Sequence, residues 1–229
     1  MIDEPDPTLA VALAEYQHLR EVRRAIHDQS TARFNFFLVV ASAGTAVSAG
    51  IVGAGATADL GLNGARIGAV LAIGALVLLL GLSVFARQVE FNGRSRRYAV
   101  AETTVRTYLT RRCPDLAPYV LMPTLDDAGP FAAEPFRRHW FRDAVGLAGT
   151  AGLLNSALVA VGGGAGLWAA AAPWWAAAAV GVSLLVATVT GHVWYVRRRL
   201  AASVVLVGGV LAERELTTQD WPRTGERVS

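Results

Sequence analysis

The side chains that could do chemistry are few, and most of them sit in apolar company. Ser42, Thr45 and Ser48 recur at three-residue steps inside an uncharged run, and on a helix they share roughly one face. A hydroxyl stripe of that kind can line a wet pathway, or it can bond back to its own helix or to a neighbour. Asn155 and Ser156 lie in a second uncharged run. An amide in mid-run is the most expensive neutral group there, so Asn155 is expected to have a hydrogen-bonding partner. These five residues are the candidate pore or helix-packing residues. Gly64 and Gly68, and Gly162 and Gly166, are four apart, a spacing that lets helix backbones approach closely within one subunit or between subunits. His192 lies close to the end of the last apolar run, where it reads as an interface residue and not a proton relay.

Catalytic patterns are not assembled by this chain. No nucleophile elbow occurs, and no pair of histidines shares one helical turn; His18 and His27 are too far apart for that. Gly53-Ala54-Gly55 and Gly162-Gly163-Gly164-Ala165-Gly166 follow no strand and precede no Gly-Lys-Ser/Thr, so a nucleotide loop is rejected. Asp126-Asp127 is an acidic pair in a Pro/Gly-rich stretch, a solvated turn more readily than a cation site. The single cysteine, Cys113, can form neither an intrachain disulfide nor a cysteine-based zinc site. A non-enzymatic chain with no cofactor and no metal is expected.

Composition points to lipid. Of the 229 residues 53% are hydrophobic and 17% charged, below the quarter usual in soluble domains. All 21 basic side chains are Arg, which suggests a GC-rich bacterial genome, and the net charge is +3. The arginines flank apolar runs, so membrane topology explains them and nucleic acid is not expected as a partner. The acidic opening Met1-Ile2-Asp3-Glu4 lacks the basic start of a secretory signal, so the N-terminus is expected to be retained.

The elements that must position these residues are helices. Leu9, Leu13, Tyr16, Leu19, Val22 and Ile26 recur at three- and four-residue steps, which predicts an amphipathic helix over residues 1–33. No Pro or Gly separates it from the next run, into which it can continue. Residues 34–86 hold two uncharged windows, about 34–56 and 67–86, each near the ~20 residues needed to cross a hydrocarbon core. Residues 87–142 form a polar centre: a helix to Arg112, a break at Cys113-Pro114, and an irregular stretch rich in Pro. Residues 143–196 hold two further windows, separated near Pro173, which suits the first turn of a new helix. In 197–229, Leu200–Leu211 is apolar but too short to span, and is expected to pack against cytoplasmic helices or a partner.

Orientation follows from charge. The outer turns hold only Arg66, and every other Arg lies in the N-terminal, central or C-terminal segment, which places both termini and the centre in the cytoplasm. Trp168, Trp174 and Trp175 mark the outer interface, and Phe34, Phe36, Phe37, Phe85, Trp140, Phe141, Trp194 and Tyr195 the inner one. No Asp, Glu, Lys or Arg falls within a span, which argues against proton-driven transport. Glu90 and Asp143, at inner span ends, are expected to pair with nearby arginines.

The stretch Pro114-Asp115-Leu116-Ala117-Pro118-Tyr119-Val120-Leu121-Met122-Pro123-Thr124-Leu125-Asp126-Asp127, following an Arg-rich helix, resembles a segment of uncharacterised multi-pass membrane proteins of actinobacteria. The layout of cytoplasmic helix, tight hairpin and emerging helix is similar to SLATT-type bacterial effector membrane proteins, though here two hairpins stand in place of one. The second resemblance implies a pore-forming assembly and carries over no functional residue. The fold expected is all-α: four transmembrane helices as two hairpins, with cytoplasmic helices, in the bacterial plasma (inner) membrane. The expected function is an oligomeric channel or pore, or else a scaffold recruiting a cytoplasmic partner; the expected partners are the lipid bilayer and further copies of the chain.

Overall fold

A computed structural model describes residues 7–57, 64–127, 133 and 146–214. The basic entry to the third run with Trp140 and Phe141, the turn at 58–63, Asp143 and the tail at 217–229 lie outside the described residues. Four long helices account for almost all of the rest: α1 (Pro7–Thr57), α2 (Gly64–Arg112), α3 (Leu147–Ala169) and α4 (Trp174–Glu213). A 3-10 helix, Pro114–Tyr119, follows α2. The first helix has 51 residues, about 76 Å at the ~1.5 Å rise per residue, because no Pro interrupts it after its first residue. All four helices are long and apolar enough to cross a membrane.

The apolar stretch Leu200–Leu211 continues α4, which runs unbroken through Arg197-Arg198-Arg199 to Glu213. Three arginines interrupt hydropathy, but Arg is a good helix former. Pro173 stands where expected, just before α4, its carbonyl accepting from the amides of Ala176 (2.9 Å) and Ala177 (3.2 Å). The link from α3 is short, with Ala171 at φ 64°, and Ala170 N–H reaches back to Gly166 and Leu167 oxygens, both at 3.1 Å. An αL alanine costs roughly 1–2 kcal/mol.

The chain divides into two compact units. The first comprises, of the described chain, residues 7–29, 90–127, 133 and 198–214. Its core holds Val100, Leu125, Val207 and Leu211, so the apolar end of α4 packs on α2 and on the segment after the 3-10 helix. That segment is pinned at several points. Leu125 N–H donates to Thr107 Oγ1 at 2.9 Å, and Arg106 Nη1 donates to Pro123 O at 2.8 Å. Arg111 Nε donates to Asp126 Oδ2 at 3.0 Å, and its Nη2 to Asp126 Oδ1. Asp127 Oδ2 accepts from Thr124 N–H (2.7 Å) and Thr124 Oγ1 (3.0 Å). Both carboxylates of the acidic pair are thus engaged within the chain. Glu102, 8% exposed at its side chain, is held by Arg23 and by Arg106 Nη2 at 3.2 Å. Glu90 takes the i, i+4 partner expected of it, Arg94, at 2.5 Å.

Leu125 is 2% exposed, so Leu125→Ala should lower unfolding stability by about 2–5 kcal/mol, read from the thermal transition of the purified chain. The Arg111 fork, chiefly through its hydrogen bonds, holds the Asp126 carboxyl below the ordinary aspartate value of about 3.9. A carboxyl depressed in the folded state stabilises it above the unfolded value, and that contribution is lost as pH falls through the folded one. Both side chains are about half exposed, so the pair is worth about 1 kcal/mol or less. Below about pH 4, wild type should lose that much more stability than Asp126→Asn, a difference readable in parallel melts at pH 6 and pH 2.5.

The second unit comprises residues 30–57, 64–89 and 146–197 of the described chain. Its surface is apolar, and a few polar side chains are buried within its mainly apolar interior. Val39, Val47, Leu71, Leu76, Leu79, Val161, Val182 and Val186 are all more than half exposed, whereas Gln88, Asn155 and Ser156 are at most 1% exposed. Trp168, Trp174 and Trp175 are also exposed, at one end of the α3–α4 pair.

Candidate functional site: a buried polar interior

Four helices contribute polar groups to the interior of the second unit. On α1 and α2, Ser30 and Gln88 close a two-way clamp. Ser30 Oγ donates to Gln88 Oε1, and Gln88 Nε2 donates to Ser30 O at 2.9 Å. Both are buried, as are Phe34, Val84, Phe85 and Val89 near them in sequence, and the clamp satisfies the amide's oxygen and one N–H. On α3 and α4, Ser156 Oγ donates to Gly152 O at 2.8 Å and lies 3.2 Å from His192 Nδ1. That nitrogen is 2.7 Å from Thr188 O. A carbonyl only accepts, so Nδ1 carries the proton and gives it to Thr188 O. Nδ1 therefore has no lone pair with which to take the Ser156 proton, and the pair is not arranged as nucleophile and base. The edge of Phe85 packs on the His192 ring, with centroids 4.5 Å apart.

Asn155 is the exception in this interior. It is 0% exposed, and neither its Oδ1 nor its Nδ2 has a hydrogen-bond partner among the described residues. The partner expected for it is not found among the described residues. The reason lies in what faces it: Gly81 of α2 and the ring of Phe37. A Cβ at Gly81 would overlap Asn155 Oδ1 and meet the Phe37 ring. The glycine Cα–H on that side points at the amide oxygen instead, the arrangement of a weak C–H···O contact common where helices touch. Such a contact is worth about 0.5–1 kcal/mol. A buried polar group without a full hydrogen bond costs about 1–3 kcal/mol. The amide is therefore undersupplied.

The candidates named from sequence separate into an inner and an outer set. Asn155 and Ser156 lie inside. Ser42 and Thr45 are exposed and Ser48 is half-buried, with Thr45 Oγ1 bonding back to Ala41 O at 2.8 Å. The two sets do not line one cavity in a single chain. Gly64, Gly68, Gly162 and Gly166 face open space. The close approaches within the chain occur at other glycines: Gly44 against Val77 and Ile73, Gly152 against His192, and Gly163 against Leu184. Gly164 and Gly181 meet the backbones of Ala177 and Ala160, at 3.1 and 3.2 Å from where a Cβ would stand. Sequence reading missed Ser30, Gln88 and Gly81. The one available signal was a glutamine flanked by Val84, Phe85, Val89 and Phe91 just past a charge-free window.

Among the described residues no group of three or more His, Cys, Asp or Glu is placed to hold a metal ion. Comparison of the chain with known protein families, with characterised proteins and with solved structures finds no match.

Proposed function

We propose that the chain is an integral membrane protein of two helical hairpins, with both ends on the arginine-rich cytoplasmic side, and that it assembles as a homo-oligomeric, non-enzymatic channel. The observation that carries this reading is the apolar surface of the second unit. Large apolar side chains cover its outside, while Ser30, Gln88, Asn155 and Ser156 are buried within a mainly apolar interior, a distribution favoured where the surrounding solvent is hydrocarbon. The conduction route proposed runs past Asn155, Ser156, His192 and Gln88, with Phe37, at 0% exposure, closing it. The outer face with Ser42, Thr45, Gly64 and Gly68 supplies contacts between copies. Ion flux through proteoliposomes of the purified chain tests the reading. Flux above that of empty vesicles is expected, and its absence across ions and voltages overturns the channel.

A second reading, a scaffold recruiting a cytoplasmic protein, is favoured by one feature of the first unit. Leu116, Tyr119, Leu121 and Met122 are all at least half exposed, Leu121 at 94%, on a segment tied down just beyond them at Pro123–Asp127. Replacing Tyr119 and Leu121 by Ser separates the readings: a scaffold loses its partner in a pulldown, and a channel keeps its flux.

A further inference from the structure

We infer that Asn155 and Gly81 form the gate of this pathway, and that the second unit has another packing in which the Asn155 amide is wetted. The inference takes its purpose from the channel reading and its existence from the geometry. The amide is wholly buried, and both of its polar atoms lack partners among the described residues. It is pressed against a position on α2 where no side chain larger than hydrogen fits. Water is the smallest species able to supply the missing donor and acceptor together. Separating α3 from α2 at this level by the width of one water molecule lets it do so. The dry packing then gives up its tight glycine contact, and the wet packing gives up the burial of Phe37. Each state lacks something that the other has, which is what a two-state element requires. Other polar groups in this interior are paired: Ser30 with Gln88, Ser156 with Gly152, and His192 with Thr188. Asn155 is the one whose hydrogen bonding improves on wetting. The permeant is a hydrated small ion or water, since the interior presents amide, hydroxyl and imidazole groups and no carboxylate or guanidinium among the described residues bonds to Asn155.

The test uses the full chain carrying isotope-labelled asparagine, reconstituted in lipid. Exchange of the Asn155 side-chain amide protons with deuterated water is followed by NMR, and Asn155→Leu identifies the signal by deleting it. Exchange roughly tenfold or more faster than that of the backbone amides of Ala151 and Ser156 is expected, because a wet state opens without unfolding. Asn155→Leu keeps the heavy-atom skeleton of the side chain but has nothing to hydrate, so it should lower wild-type flux roughly tenfold while the chain remains folded by thermal melt. Exchange as slow as that of those backbone amides, or undiminished flux in Asn155→Leu, overturns the gate. Fast exchange in a chain that conducts nothing leaves the wetted state standing and removes the channel; flux with slow exchange does the reverse.

Discussion

Gly81→Ala should lower the thermal transition of the chain by several degrees, and Asn155→Ala should restore most of it. One methyl group at Gly81 would overlap the Asn155 amide oxygen and crowd the Phe37 ring. Overpacking of that kind costs about 1–3 kcal/mol, or some 3–10 °C for a chain of this size. Helix propensity works in the opposite direction, since Gly→Ala favours a helix by about 1 kcal/mol where space is free. Gly74 is the control: a Cβ there meets nothing, so Gly74→Ala should be neutral or stabilising. Asn155→Ala alone should be near neutral, because it deletes an undersupplied amide while leaving a small void. The double mutant should then show a favourable coupling of about 1–2 kcal/mol. Additive effects in the melts would mean that the two residues do not touch.

Glu102→Ala should be among the most damaging single changes in the first unit, at about 3–5 kcal/mol. Its carboxylate is almost wholly buried between two guanidinium groups. The partners differ in what they can do without it. Arg23 is 42% exposed and can turn to water, but Arg106 is only 13% exposed and is held by Pro123 O and stacked near Tyr16. The loss therefore leaves a largely buried cation with only the Pro123 carbonyl and a long 3.5 Å bond to the Tyr16 hydroxyl. Arg106→Met should cost less, because Glu102 keeps Arg23. Glu102→Leu combined with Arg106→Met should recover part of the single-mutant loss, since two apolar side chains replace a charge pair without stranding either member. Equal losses from Glu102→Ala and Arg106→Met in the thermal transition would refute this asymmetry.

Much of the architecture could be read from residue order because it depends on local chemistry. Charge-free runs near 34–56, 67–86 and 174–196 lie within α1, α2 and α4, and the Cys113-Pro114 break ends α2 at Arg112. The unbroken passage from the amphipathic N-terminal stretch into the first apolar run also stands, since no Pro or Gly interrupts it. What was not legible is which neighbour each face meets. The four-residue spacing of Gly64 and Gly68 defines a face but not its direction, and that face is open. Gly81, with no small residue four away to mark it, makes the closest approach because Asn155 on another helix arrives opposite. Ser30 and Gln88 are 58 positions apart, and neither alone announces the other. The hydroxyls of Ser42 and Thr45 line up as expected, yet they face outward.

The short link at Ala170–Pro173 ties one end of α3 to one end of α4, with the Gly164 and Gly181 backbones nearly touching just beyond it. Two stiff rods joined this way behave like tweezers: the pivot scarcely moves, and displacement grows along the arms. From Ala170 to Ser156 is about 21 Å of α3 axis, so a tilt of about 5° at the pivot spreads the arms by about 2 Å at the serine. That stroke would be enough to part Ser156 from His192, now 3.2 Å apart, while the aromatic end with Trp168, Trp174 and Trp175 stays still.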